Sequence, residues 1–277
     1  MNDNNKNRVL ITGGASGLGR EIALTFANQG YRVCIADLHE ERAQETLDLI
    51  GKTSGEGFFA HCDVTSTQDW AKTMVAIEEA WGGLDILVNN AGVASGGPFN
   101  WLSAQDWKWI MGINFYGVLY GCQAAVPAMI ENKQGHIVNI ASMAGIINPP
   151  GMSNYNVSKA AVISLSESLK VELKPHNIKV TCVTPSFFKT NLGESMRTPD
   201  KGTEIAMNKL MENSSELSAA DIANEIYDAV INNVYLVMPH EKAKQAYQLK
   251  NGDLDAHFDL LAPLADQVMN RAKRKSD

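Results

Sequence analysis

The stretch Arg8-Val9-Leu10-Ile11-Thr12-Gly13-Gly14-Ala15-Ser16-Gly17-Leu18-Gly19 decides how this chain is read. A short β-branched run leads straight into a glycine-rich turn. From Arg20 to Gln29, Ile22, Ala23, Phe26 and Ala27 then recur at helical spacing. In the order strand, glycine turn, helix, glycines have a chemical use. They let the backbone approach a pyrophosphate, and the helix N-terminus attracts the anion. The spacing is G-x-x-x-G-x-G rather than the commoner G-x-G-x-x-G. Gly30 closes the helix, and Tyr31-Arg32-Val33-Cys34-Ile35-Ala36 reads as a second strand ending at Asp37. An acid at that place, ~20 residues past the glycines, accepts hydrogen bonds from adenosine ribose hydroxyls and repels a 2′-phosphate. Ser16 and Leu38, where a cation would greet that phosphate, are uncharged, and Arg42 lies out on the next helix.

The same unit repeats downstream. A helix near 40–50 leads to a third strand, Gly57 to Cys62, ended by Asp63-Val64. A helix over 67–81 precedes a buried strand from Leu84 that runs into the small polar turn Asn89-Asn90-Ala91-Gly92. The spacing predicts a long apolar helix from Trp107 to Ile130, carrying Asn114 and interrupted near Pro127. Gly135 to Ala141 is the fifth strand, Tyr155 to Lys174 a helix, and Ile178 to Val183 the sixth strand. Residues 191–216 are polar and Met-rich, as a lid would be, and are followed by a helix from Ala219 and a last strand, Val234 to Pro239. Strand and helix alternating at this pace predict one α/β domain. Its doubly wound, Rossmann-like sheet has seven mostly parallel strands with helices on both faces, over a core of 7–239. Residues 240–277 read as a mostly helical extension. Ligands of such sheets bind at the carboxyl ends of the strands, where the glycine turn, Asp37, Asp63 and Asn90 all fall.

Composition excludes several classes. The 277 residues are 45% hydrophobic, enough for a sizeable core, and 24 Lys+Arg against 31 Asp+Glu give a net charge of −7. An acidic body is a poor match for nucleic acid or an anionic membrane. The polar start has no apolar stretch of a signal peptide, and no apolar run reads as a bilayer span. Cys34, Cys62, Cys122 and Cys182 form no C-x-x-C pair, and the histidines have no metal-ligand spacing. Buried thiols in a reducing cytoplasm, and no metal, are the expectations.

The fifth strand delivers Ser142, and Tyr155-Asn156-Val157-Ser158-Lys159 follows. Four residues apart on a helix, Tyr155 and Lys159 leave the same face. A free tyrosine ionises near pH ~10. A neighbouring ammonium favours the phenolate, and a phenol so tuned can exchange a proton with an alcohol oxygen.

Thr12-Gly13-x-x-x-Gly17-x-Gly19, Asn89-Asn90-Ala91-Gly92, Asn114, Ser142, Tyr155-x-x-x-Lys159 and the Pro185…Thr190 segment stand in order and at family spacing. Together they resemble the short-chain dehydrogenase/reductase family, over roughly residues 7–239. The resemblance implies that Tyr155 is the general acid/base and that Ser142 steadies the substrate oxygen. It implies that Lys159 lowers the tyrosine pKa and bonds the nicotinamide ribose, and that Asn114 holds a relay water. It also assigns cofactor contacts: the turn residues Gly13, Ser16, Gly17, Leu18 and Gly19, then Asp37, Asp63 and Val64, then Asn90, Ala91 and Gly92. Pro185, Phe188 and Thr190 complete them. The family usually has Pro-Gly after the sixth strand where this chain has Pro185-Ser186, so the loop there is expected to differ slightly.

The resulting expectation is an NAD-dependent oxidoreductase of a secondary alcohol or its ketone. The alternatives are an NADP-dependent carbonyl (3-oxoacyl-type) reductase and a non-catalytic NAD sensor. The segments after the fourth to sixth strands, including Met143, Ile147, Met152, Phe187 and Leu192, are apolar. They suit an uncharged substrate, with Arg197 alone placed to fork an anion. Excess apolar surface on helices 107–130 and 155–174 points to a homodimer or homotetramer.

Overall fold

The computed structural model describes residues 7–188, 196–198, 205 and 217–273. Its seven strands are β1 (Arg8–Thr12), β2 (Arg32–Asp37), β3 (Glu56–His61), β4 (Ile86–Asn89), β5 (Gly135–Ile140), β6 (Ile178–Val183) and β7 (Leu236–Val237). They form one sheet in the order β3-β2-β1-β4-β5-β6-β7. Every pairing is parallel, from Asp37 opposite His61 to Val183 opposite Val237. The seven-stranded, mostly parallel sheet expected from the sequence is thus parallel throughout among these strands. β7 keeps two residues of the expected six, since only Leu236 and Val237 pair with β6. The order reverses between β1 and β4, and a crevice opens at such a reversal.

Strand alternation splits the core in two. Val9, Ile11, Val33 and Ile35 pack on α1 (Gly17–Asn28) and, further along the chain, α8 (Ala219–Ile231), through Ile22, Phe26 and Ile226. Leu10, Cys34, Leu87 and Ile137 face the other way, onto α3 (Thr67–Trp81), α5 (Gly117–Asn132) and α7 (Ser153–Glu172), through Trp70, Met129 and Val162. Helix limits have local causes. Ser66 Oγ accepts from Asp69 N to open α3, and Gly82 ends it at φ +70°. Ser218 and Asp221 form a reciprocal capping box at α8. α2 (Glu40–Ile50) covers β2 and β3, and α6 (Ala144–Ile147) is a single turn before α7.

The long apolar helix differs from its prediction. Helical structure runs from α4 (Ala104–Met111) through α5 without a break at Pro127, which lies inside α5. The irregularity is a π-helical turn, Gly112–Tyr116, that carries Asn114. Asn114 explains the turn. Its Oδ1 accepts from Val93 N (2.8 Å) and its Nδ2 donates to Val93 O (3.0 Å) and Ser158 Oγ (3.2 Å). By length and composition the 29 residues Ala104–Asn132 could also cross a membrane, although the sequence reads as having no apolar run long enough to span a bilayer. Here Val118, Cys122, Ala125 and Met129 lie buried in the core beside β4 and β5.

The extension consists of α9 (Glu241–Gly252) and α10 (Leu254–Lys273). All four cysteines are free and buried. The lid expected over 191–216 falls almost wholly outside the described residues.

Candidate active site

The carboxyl ends of the strands open on one cleft of about 1000 Å³, at the top of the ~300–1,000 Å³ range of ligand sites. Gly13, Ser16, Gly17, Leu18, Gly19 and Asp37 line one end, and Asp63, Val64, Asn90, Ala91 and Gly92 line its middle. Ser142, Tyr155, Lys159, Pro185 and Phe188 line the other end. Of the predicted residues, Asn114 sits behind the wall, fully buried, and Thr190 lies outside the described residues.

The glycine end fits a dinucleotide phosphate. Gly13 and Gly17 have φ of +66° and +53°, values costly for any other residue. A Cβ on Gly19 would lie 2.6 Å from Asn90 Nδ2 and closer still to the Gly13 carbonyl oxygen, so backbone alone fits there. Ser16, the N-cap of α1, makes no side-chain cap bond, and the first turn has no acid. The helix therefore presents free amides and its positive end to an anion. Asp37 is oriented by Ala15 N (3.1 Å) and His39 N (3.0 Å), one bond to each oxygen. A carboxylate has roughly four acceptor sites, which leaves capacity for ribose hydroxyls. Asp63 Oδ1 is engaged by Thr65, through N (2.8 Å) and Oγ1 (2.7 Å).

Two residues make contacts that the sequence did not show. The Asn90 side chain turns inward, donating to Thr12 O (2.9 Å) and Gly13 O (3.3 Å). It thereby ties the end of β4 to the glycine turn. Thr12 completes that tie, its Oγ1 accepting from Asn90 N (2.9 Å) and Ala91 N (3.0 Å). Sequence reasoning gave Thr12 no task. The available signal was a lone hydroxyl closing an apolar strand.

At the other end Tyr155 lies in the first turn of α7 with Lys159 one turn on, as the spacing implies. Ser142 follows β5, its Oγ accepting from Ala144 N (3.1 Å) and donating to Pro185 O (3.3 Å). Lys159 Nζ donates to Ile140 O (2.9 Å) and stands 5.9 Å from the centre of the Tyr155 ring. Burial pushes the Tyr155 phenol above its ordinary value, while the Ser142 hydroxyl pulls it back. The direction is opposite to the expected depression by Lys159. The cause is the phenol's own desolvation; burial separately pushes Lys159 down to about 8.

Around these polar atoms the wall is apolar, with Val93, Met143, Ala144, Ile147, Met152, Phe187 and Met196. Trp109 and Lys108 join from α4, and neither was expected. The Arg197 guanidinium lies 4.1 Å over the Trp109 ring, and its backbone pairs with Ala94 and Gly96. Its side chain is thus held by an aromatic face.

A parallel doubly wound sheet with a glycine cradle and a Ser-Tyr-Lys trio on one cleft defines a class, the dinucleotide-linked oxidoreductases. The chain belongs to the short chain dehydrogenase family, whose pattern matches residues 7–201. It is 34% identical over 205 residues to the 2,5-dichloro-2,5-cyclohexadiene-1,4-diol dehydrogenase of Sphingobium indicum, covering 73% of this chain and 82% of that one. To (+)-borneol dehydrogenase 2 of Salvia officinalis it is 37% identical over 232 residues, 78% and 80% of the two chains. Among solved structures, a short chain dehydrogenase/reductase from Burkholderia phymatum in complex with NAD superposes with a TM-score of 0.83. That protein shares 29% identity, with 92% of this chain and 96% of that one covered. The family acts on small molecules, so alcohol or ketone chemistry with a nicotinamide dinucleotide is the frame for this site.

Proposed function

We propose that this chain, as one domain with a core over 7–239 and a helical extension over 240–277, is an NAD-dependent oxidoreductase. Its substrate is an uncharged, apolar secondary alcohol or the matching ketone. One observation carries the reading: Ser142, Tyr155 and Lys159 share a cleft with the glycine cradle and Asp37, inside an otherwise apolar wall. The nicotinamide supplies the hydride chemistry when bound. The chain's own residues bind it through the glycine turn and α1, and orient it through Asp37 and Lys159. They hold the substrate oxygen at Ser142 Oγ and move one proton at Tyr155 Oη. An apolar wall selects by burial, at ~25 cal/mol per Å². The names of two relatives, a borneol and a chlorinated cyclohexadienediol dehydrogenase, agree with ring alcohols. We place the protein in the cytoplasm as a homodimer or homotetramer, supported by Tyr116, Val157 and Val171 exposed on the π turn and α7. Light scattering at micromolar concentration tests the assembly, and a monomer would refute it.

Arg42 favours a second reading. It lines the cleft with Asp37 and Leu38, and an arginine there suits the 2′-phosphate of NADP, as a carbonyl reductase would use. The test is kcat/KM with both cofactors on matched secondary alcohols and ketones, for wild type and Asp37→Ser/Leu38→Arg. Wild type should prefer NAD and apolar ring alcohols, and the double variant should shift toward NADP by at least ~10-fold, a modest change for gaining or losing one charged contact. Better use of NADP by wild type, or of sugars and hydroxy acids, would overturn the assignment.

A further inference from the structure

Beyond the Ser186–His240 bond at its start, the extension touches the rest of the fold along a short segment, residues 144–152. Lys250 of α9 donates through Nζ to Ile146 O, and His257 of α10 through Nε2 to Ile147 O, the latter at 2.9 Å. These are the last two carbonyls of α6, a helix of four residues. Its C-terminal carbonyls have no partner within the helix, and Asn148, at φ +53°, ends it. Two side chains from two different helices thus cap consecutive carbonyls. His257 is 1% exposed. A carbonyl only accepts, so Nε2 carries the ring proton. Nδ1 is left buried without a hydrogen-bond partner. A leucine would fill the space with no bare nitrogen, and a buried polar atom left unpaired is costly. The ring is therefore useful there through its bond to Ile147. Further along α10, Val268 lies against Gly151, where an added Cβ would come within 3.1 Å of Cγ2.

The other side of the same segment gives Ala144, Ile147, Pro149 and Met152 to the cleft wall beside Tyr155. We infer that Lys250 and His257 are positioning residues for substrate selection. By capping Ile146 and Ile147 they brace the apolar wall from behind, and the extension sets how large an apolar substrate the site admits. The inference rests on the proposed reading of this wall as the substrate side.

The experiment uses the full chain with saturating NAD. His257→Leu and Lys250→Met remove the two donors, and His257→Gln restores a donor at similar reach. In the first two, KM for a bulky bicyclic secondary alcohol should change about tenfold, the scale of a methylene-sized change in a pocket. For a three-carbon secondary alcohol KM should hold within about twofold, as should kcat and NAD affinity. The glutamine variant should recover most of the selectivity. Hydrogen exchange at the amides of 144–152 should quicken in the leucine variant and return toward wild type in the glutamine variant. Unchanged selectivity with quickened exchange would overturn the inference, leaving a purely structural contact. Unchanged exchange would overturn it at the first step. Parallel losses for both alcohols and for NAD would do so as well, as general destabilisation. If wild type turns over no alcohol, the proposed function fails, while exchange still judges the brace. If His257→Leu does not fold, Lys250→Met carries the same comparisons.

Discussion

At the glycine end of the cleft the wall is backbone. Gly13 and Gly17 hold positive φ, Gly19 excludes a side chain, and Thr12 and Asn90 tie two strand ends together. At the Tyr155 end the wall is side chain. Met143, Ile147, Met152 and Phe187 close around Ser142 and Tyr155, on segments held by loops and by the extension. A backbone wall recognises what every dinucleotide shares. A side-chain wall can be rebuilt for a new substrate without disturbing the sheet. Changes at one end should therefore leave the other end's readout alone.

The largest effect should come from Tyr155→Phe, which keeps the ring and removes the proton donor. It should lower kcat by at least ~10²-fold, the scale of positioned acid/base catalysis. Dinucleotide affinity, measured by fluorescence titration, should stay within about twofold. Near-normal turnover would remove Tyr155 from the chemistry. A parallel loss of affinity would break the separation of the two ends.

Lys159 belongs to the Tyr155 end and has a pH signature. Burial lowers its pKa to about 8, against ~10.4 in an unfolded chain. Between those values the unfolded state holds more protons, so this group makes stability rise with pH. Below about 8 both states are protonated and the cost is constant, on the order of 3 kcal/mol. Lys159→Met should therefore be more stable than wild type in urea at pH 7, with the gap shrinking by pH 9.5. The buried thiols, whose pKa values are raised, act in the opposite sense but cancel in the difference. A gap independent of pH would mean that Lys159 is not buried as an ammonium.

Gly19→Ala and Gly92→Ala sharpen the contrast. The first places a Cβ against fixed backbone and should weaken dinucleotide binding by roughly 5–150-fold, the equivalent of ~1–3 kcal/mol of overpacking. The second meets Asn114 Oδ1 at 3.3 Å and Lys159 Nζ at 3.5 Å, so the neighbour needs to give by only a few tenths of an ångström. Its binding should stay within about threefold, on the same scale. Equal losses in the two would show that the glycine end excludes side chains no more strictly than Gly92 does.

Much of this division is legible in the chain, for local reasons. A glycine turn between a β-branched run and a helical period, an acid at a strand end, and a Tyr-Lys pair one turn apart are each decided within ten residues or so. The π turn at 112–116 is not, because its apolar pattern continues the helical period and only the Asn114–Val93 bonds show what it serves. The inward turn of Asn90 depends on β1 and β4 becoming neighbours. The contacts of Lys250 and His257 with Ile146 and Ile147 join residues 104 and 110 apart. Helix periodicity gives α9 and α10 but cannot say where they dock, because docking is settled by packing.

The smallest effect tests a place where the chain departs from the pattern that the resemblance implies. Ser186 stands where glycine is usual, and a slightly different loop was expected. Among the described residues, those other than glycine with positive φ are Lys133, Asn148, Asn177 and Asn233. Ser186 therefore sits in ordinary backbone and needs no glycine freedom. Its N–H donates to His240 Nδ1 (3.2 Å), and the neighbouring Pro185 carbonyl accepts from Met143 N (3.0 Å) and Ser142 Oγ (3.3 Å). All three bonds survive Ser186→Gly. The change should act through the unfolded chain, which gains freedom, and cost ~0.4–1 kcal/mol. For a chain of this length that lowers Tm by about 1–4 °C. Both KM values and kcat should be unchanged. A rise in KM for the dinucleotide, with Tm steady, would instead mean that the serine hydroxyl takes part in binding. The wall at that point would then be side chain rather than backbone.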